Sequence, residues 1–509
     1  MGAVRSASVP TAAPAARSRA GIGKWAEVLL VAGVVACALF LRLYDLTGES
    51  LWYDETYSLW IADMDLDRLA YLWEWPVQFP AYYVLLYHWL RAFGMSDLSV
   101  RLFGALAGAL TVLPAYWLGK ALFGRRVGAI SALLLAVNPY HVWYSQEVRM
   151  HSWAVLLTLI SVYACWRMVN GGRWGWWALH LLSTALTFHL HYYVGFAVLA
   201  ENLYVAVHLW AKRGGLFTRE SWRWLRWWLL EQVGLFLLMV PGVIVFLIKL
   251  LDLNEWGWLS QRYGPPGLLD ILNLLEAYTL GVDFPGPSFL AWTMIGLSGA
   301  LIVWGVWRRW RTREEKGLDA PLVFSLIALG LPLVACFVAG QFSTVWVTRY
   351  LLPFQPFFLI LMALGLSAIP WQRAGNVLLV LICAVSLYAL GNMYSVQQKE
   401  DWRGVASYMT PQFAKDDLIV LMDNECRVPF SHYFGSGGTR IEISRFADDA
   451  TLDEAVVTAQ RKQRGGRLWV VVSHADSQSL EQRLEALPEL SFVKRTTFVG
   501  IQLIEYAWS

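Results

Sequence analysis

Apolar residues in this chain gather into long unbroken runs separated by short polar stretches. Runs of the length that crosses a bilayer as a helix, about 17 to 25 residues, lie at roughly 25–43, 101–123, 127–145, 150–169, 175–191, 195–211, 229–251, 289–307, 321–341, 350–369 and 374–393. The pattern predicts an α-helical polytopic membrane protein of about 11 transmembrane helices. A shorter run, Phe79 to Phe93, carries Pro80, His88 and Arg91. Whether it spans decides the side on which everything after it falls. If it does not span and the N-terminus is inside, Arg125-Arg126, Lys212-Arg213, the Trp222–Trp228 run, Arg308 to Arg313 and Arg373 all face the cytoplasm. If it spans, all of them face outward, against the positive-inside rule. The run is therefore predicted as an interfacial or re-entrant helix. A second surface helix is predicted over Leu268 to Leu280, after the structure-breaking Gly264-Pro265-Pro266-Gly267.

The pattern changes after Tyr394. Short apolar runs of β type, Leu418 to Met422, Leu468 to Val472 and Phe498 to Ile504, alternate with helical patterns near 402–410, 452–463 and 478–487. Three regions follow: a basic, Ala/Ser/Pro-rich cytoplasmic tail over 1–24, a membrane domain over 25–395, and a small extracytoplasmic α/β domain over 396–509. Val34-Val35-Ala36-Cys37 has the look of a lipoprotein cleavage box, but the apolar run continues through Leu43, so this segment is predicted to be an uncleaved anchor. The protein is expected as a multi-pass protein of the cell membrane.

Composition agrees. Of 509 residues 57% are hydrophobic and 16% charged, against about 25% charged in an average soluble domain. A net charge of +3 is too small to suggest nucleic acid. Cys37, Cys165, Cys336 and Cys383 lie inside apolar runs and read as small hydrophobes rather than disulfides or metal ligands.

In a charge-poor chain, charges near the membrane surface mark candidate chemistry. Leu51-Trp52-Tyr53-Asp54-Glu55-Thr56 follows the first anchor. Its adjacent carboxylates suit a general base or a metal ligand, or simply a solvated loop tip. Ser145-Gln146-Glu147-Val148-Arg149-Met150 closes the third span on the same predicted side. His191 and Tyr192, at the next outer turn, suit sugar binding through rings and polar tips, and also suit interfacial anchoring. Arg349 opens a helix four residues before Pro353 and suits either snorkelling or a phosphate. Glu201 lies within a span and requires a partner.

These motifs, in this order, resemble bacterial family 39 glycosyltransferases, relatives of protein O-mannosyltransferases and of the lipid A aminoarabinose transferase. The resemblance runs from Trp52-Tyr53-Asp54-Glu55 and the Pro80 run through Ala121 to Arg126, Asn138-Pro139, Ser145 to Met150 and Arg349 to Pro353 to Asp401-Trp402-Arg403. It implies a GT-C architecture and an inverting glycosyltransferase that takes a polyprenyl-phosphate-linked sugar to an extracytoplasmic acceptor, without a cofactor. By position Asp54 looks like the catalytic base, with Glu55 beside it. Glu147 looks like the acid of the second outer loop, and Arg149 and Arg349 like ligands of the lipid phosphate. Tyr53, Tyr82, His191 and Tyr192 are the implied substrate-binding residues. Two alternatives stay open: a metal-dependent oligosaccharide transferase with a divalent cation on Asp54, Glu55 and Glu147, and a lipid-linked sugar flippase. The inverted repeats expected of a transporter are not visible.

Overall fold

The structure is a computed structural model that describes residues 15–64, 81–212, 218–251, 264–313, 317–343, 345–444, 447–462 and 465–509. The expectations for residues 1–14, Pro80 and Arg213 lie outside these. In chain order the helices are α1 (Ala15–Leu43), α2 (Tyr53–Ala62), α3 (Ala81–Phe93), α4 (Asp97–Leu110), α5 (Val112–Phe123), α6 (Arg125–Ala136), α7 (Pro139–Ser145), α8 (His151–Val169), α9 (Trp174–Leu190), α10 (Val194–Lys212), α11 (Arg219–Leu251), α12 (Leu268–Leu280), α13 (Ser288–Arg311) and α14 (Ala320–Gly340). A 3₁₀ turn (Thr348–Phe354) then leads into α15 (Gln355–Ser367) and α16 (Gln372–Ser395).

Among the described residues, nine helical segments are long and apolar enough to cross a membrane. They sort by burial. The segments Asp97–Phe123, His151–Val169 and Thr348–Ser367 are 72%, 72% and 89% buried, whereas Gly23–Leu43, Ser288–Arg311 and Gln372–Ser395 are at most 28% buried and turn apolar side chains outward to lipid. The buried segments adjoin the candidate residues.

One expected span and one expected cytoplasmic run differ. The 127–145 run is broken, because Pro139 has no N–H to continue the ladder and Asn138 caps the second piece, its side chain accepting from His141 N at 3.0 Å. The break strands the carbonyls of Leu135 and Ala136. Arg42, buried at the end of α1, donates to both, at 3.3 and 3.0 Å, and to Ser145 Oγ at 3.2 Å. The Trp222–Trp228 run, expected at the cytoplasmic face, is the first part of α11, which continues through Pro241. The α3 helix has 13 residues, too short to span, and buries Tyr82, Tyr83, Leu86 and Leu90.

The C-terminal region holds a five-stranded sheet in the order β2-β1-β3-β5-β4, formed by β1 (Leu418–Met422), β2 (Thr439–Ile443), β3 (Arg467–Val472), β4 (Leu490–Phe498) and β5 (Ile501–Trp508). The first three run parallel, and β5 pairs antiparallel with β3 and β4. Alternate residues of β1 serve opposite faces: Leu418, Val420 and Met422 pack on Leu452 and Leu480, and Ile419 and Leu421 on Trp402, Val405 and Phe430. Helices therefore cover both sides, as a mostly parallel sheet requires. The run expected as one strand over Phe498 to Ile504 is a hairpin turning at Val499-Gly500, where Gly500 has φ +70°. The strand β2 was not anticipated, since its burial alternates with exposed Thr439 and Glu442.

Candidate active site at one end of the bundle

The stretch joining α1 to α2 is tied down by Arg101, a buried arginine in the first turns of α4. Its guanidinium donates to the carbonyls of Leu46 (2.9 Å), Glu49 (2.9 Å) and Ser50 (3.0 Å) and forks onto Glu55, at 3.0 and 2.8 Å. Glu55 is fully buried. It also accepts from Lys399 Nζ at 3.1 Å and from the backbone N–H of Val148 at 3.1 Å. Burial alone would push the Glu55 carboxyl up, but the charges and hydrogen bonds of Arg101 and Lys399 together outweigh it and bring the pKa down to about 2.

The N–H from Val148 fixes the 145–150 turn beside α2. Small residues on α4 make room for it. A Cβ on Gly104 would lie 2.8 Å from the Glu147 carbonyl oxygen and 2.9 Å from that of Ser145, and one on Gly108 would collide with Ser145 Oγ. The glycines, one helical turn apart, form the groove in which the Glu147 backbone rests.

Asp54, next to Glu55 but on another face of α2, accepts from Arg349 Nη1 at 3.1 Å, across 295 residues of sequence. The two side chains keep 20% and 22% of their exposure, so a small group can reach the pair. Arg349 also lies over the Tyr350 ring at 5.4 Å. Arg149 is buried, with Nη1 3.4 Å from Ser58 Oγ. The negative charge of Asp54 favours its cationic form against burial. Glu147 is buried, and no described residue donates to its carboxylate. Burial pushes its pKa up; Lys399 and Arg349 pull it back and Glu55 and Asp54 add to the rise, leaving it at about 7. Asp54, Glu147, Arg149 and Arg349 thus lie close enough for their charges to act on one another.

The aromatic candidates divide. Tyr82 packs edge-on against Tyr83 at 5.6 Å, and both feel the Arg149 charge. Tyr53 stacks on Tyr57 at 5.6 Å, beside Asp54. His191 meets Tyr350 at 5.2 Å and His151 at 5.8 Å. Tyr192 instead turns edge-on to Phe188, at 6.4 Å, and it is Tyr193, not the candidate Tyr192, that stands beside His191 and Tyr350. Sequence reasoning missed Arg101, Lys399, Tyr83, His151 and Tyr350. Arg101 opens a predicted span and Lys399 sits in a polar linker, so neither carried a local signal; Tyr350 adjoined Arg349 and was legible as part of that motif.

Asp54, Glu55 and Glu147 do not form a cation cage among the described residues, since both Glu55 oxygens are engaged by Arg101. Among the described residues, a grouping with ligand atoms close enough for one ion is Cys165, His180 and Glu201, on α8, α9 and α10.

The bundle with its turn-built polar pocket and appended sheet domain has the GT-C glycosyltransferase fold. It superposes on ArnT from Cupriavidus metallidurans bound to undecaprenyl phosphate with a TM-score of 0.58 at 15% identity, covering 94% of this chain and 97% of that one. The oligosaccharyltransferase of Archaeoglobus fulgidus tethered with an acceptor peptide gives a TM-score of 0.54 at 13% identity, over 88% of this chain and 69% of that one. Residues 80–244, from α3 into α11, match the family model described as dolichyl-phosphate-mannose-protein mannosyltransferase. No curated protein matches the sequence.

Proposed function

We propose that the protein is an inverting glycosyltransferase that moves a hexosyl or pentosyl unit from a polyprenyl-phosphate donor to an extracytoplasmic acceptor. The observation that carries this reading is the Asp54–Arg349 pair at 3.1 Å, partly accessible and within reach of the charges of Arg149 and Glu147. In the proposed step the acceptor oxygen attacks the anomeric carbon and its proton passes to Asp54. The bond from carbon to phosphate oxygen breaks on the opposite face, and the departing phosphate is met by Arg349 and Arg149. Glu147, with a pKa near neutrality, holds a proton for a phosphate oxygen. No step needs a cofactor.

The ion pair adds a coupling. While Arg349 holds Asp54, the guanidinium occupies a carboxylate oxygen that would otherwise meet the acceptor. A donor phosphate competes for the guanidinium, which suits phosphate oxygens, and releases Asp54 only once donor is bound. Glu55 is a positioning residue in this reading, and Tyr53, Tyr82 and His191 line the sugar side. Tyr192 is left as a packing residue. The protein is read as residing in the cell membrane with its N-terminus cytoplasmic and this pocket and the C-terminal domain outside, in contact with membrane lipid through which the donor tail enters.

Asp54→Asn is the direct test, with purified protein and a panel of polyprenyl-phosphate sugars. Transfer should fall by about 10²–10⁴-fold while donor binding persists or tightens, because the neutral amide frees Arg349. Transfer at the wild-type rate would remove Asp54 as base.

A further inference from the structure

A second polar cluster lies inside the bundle and takes no part in the proposed reaction. His180 on α9 is fully buried, with Nε2 3.0 Å from Glu201 Oε2 on α10 and Nδ1 2.5 Å from Glu231 Oε1 on α11. Cys165 on α8 completes it: its Sγ, a His180 nitrogen and a Glu201 oxygen all lie within 4.8 Å of one another. Four helices contribute one group each.

The surroundings orient the ligands. Ser161 Oγ donates to Glu201 Oε1 at 3.1 Å and lies 2.6 Å from Thr184 Oγ1. Gln232 Nε2 donates to Glu231 Oε2 at 2.6 Å, and Asn202 Nδ2 to Gln232 Oε1 at 3.0 Å. Beside Glu201 a cavity of about 10 Å³, otherwise walled by apolar residues such as Phe324 and Phe357, offers about the space of one water.

Geometry makes the case for an ion. A thiol, an imidazole and a carboxylate from three helices, all buried, converge within 4.8 Å of one another, and the imidazole and the carboxylate are each held by a further side chain, Glu231 and Ser161. The donor set of one sulfur, one imidazole nitrogen and one carboxylate oxygen suits zinc. Glu231 on the far nitrogen of His180 then has the role of the carboxylate that fixes a metal-bound imidazole. We propose that Cys165, His180 and Glu201 bind a zinc ion that clamps α8, α9 and α10 together, with Glu231 orienting His180. Binding displaces the Cys165 thiol proton and the proton on the liganding nitrogen of His180.

The test uses the full chain, purified in detergent through a histidine-free tag, with metal content read by elemental mass spectrometry. About one zinc per chain is expected, with Cys165→Ser and His180→Ala both losing most of it. Glu231→Gln should weaken zinc binding by about 10–100-fold. Reconstitution with cobalt should give a thiolate-to-metal absorption band that Cys165→Ser abolishes. A wild-type protein holding less than about a tenth of an equivalent after zinc loading, or equal zinc in wild type and Cys165→Ser, would overturn the proposal. If His180→Ala does not fold, the cobalt spectra of wild type and Cys165→Ser decide it alone, since that substitution is nearly isosteric.

Discussion

Two buried glutamates sit at the same end of the bundle in opposite electrostatic settings. Around Glu55 the chain has supplied Arg101, Lys399 and a backbone N–H, and the carboxyl is held ionised at a pKa of about 2. Around Glu147 burial dominates and the carboxyl rises to about 7. Residue type and depth are the same; the donors differ. A carboxylate with its acceptor sites filled by the protein holds structure. One whose proton is near balance at neutral pH is suited to exchange it. The difference separates the two halves of what the sequence offered as a single set of acidic candidates.

The strongest way to break this comparison is to neutralise the anchor. Glu55→Gln leaves the guanidinium of Arg101 and the ammonium of Lys399 buried without their counter-charge, a loss of about 3–5 kcal/mol for breaking a buried pair. Tm in detergent should fall by several degrees, and transfer should fall with it because the stretch carrying Asp54 loosens. An unchanged Tm would mean that Glu55 does not organise this end of the molecule.

Glu147→Gln should do the reverse: it should lower transfer by about 10²–10⁴-fold and leave Tm at neutral pH unchanged or raised. The signs of the pH dependence follow. The folded pKa of Glu147 lies above its ordinary value of 4.5, so its contribution to stability is complete below about 4.5 and is lost as pH rises through about 7. The folded pKa of Glu55 lies below 4.5, so its contribution is complete above about 4.5 and is lost as pH falls toward 2. Thermal melts of the two Gln variants against wild type should therefore diverge at opposite ends of the pH scale. Activity of the wild type should decline above about pH 7, a limb absent from whatever rate Glu147→Gln retains.

The sequence made the frame of the site legible and hid its wiring. Asp54, Glu147, Arg149 and Arg349 were each visible as charges at predicted membrane boundaries, where few charges occur, and the fold brings them within electrostatic reach of one another. The bounds of α3 and α12 were also legible, because apolar periodicity and flanking Pro or Gly are local signals. The contacts of Glu55 were not. Its partners lie 46 and 344 residues away, and nothing near Arg101 or Lys399 distinguishes a buried ion pair from an ordinary interfacial cation. The break at Asn138-Pro139 was readable from Pro139 itself, but the apolar run across it looked continuous. The hairpin at Val499-Gly500 was missed for the same reason, as one apolar run can hold two strands when a glycine turns between them.

Lys399 gives the finest adjustment of the comparison, because it serves both glutamates. Its ammonium donates to Glu55, lies over the Trp143 ring at 5.1 Å, and draws the Glu147 pKa down. It comes from the linker after α16, so the segment leading into the sheet domain bears on the protonation of Glu147. Lys399→Met keeps the apolar stem and removes the charge. Glu55 retains Arg101, so the loss of Tm should be smaller than in Glu55→Gln. Glu147 loses an attraction that favours its ionised form, so the alkaline limb of transfer should move to higher pH, by on the order of one unit. Lys399→Arg should move it back. A merely structural role for Lys399 would lower Tm and rate together with the pH profile in place, and an unmoved limb in Lys399→Met would separate Glu147 from that limb altogether.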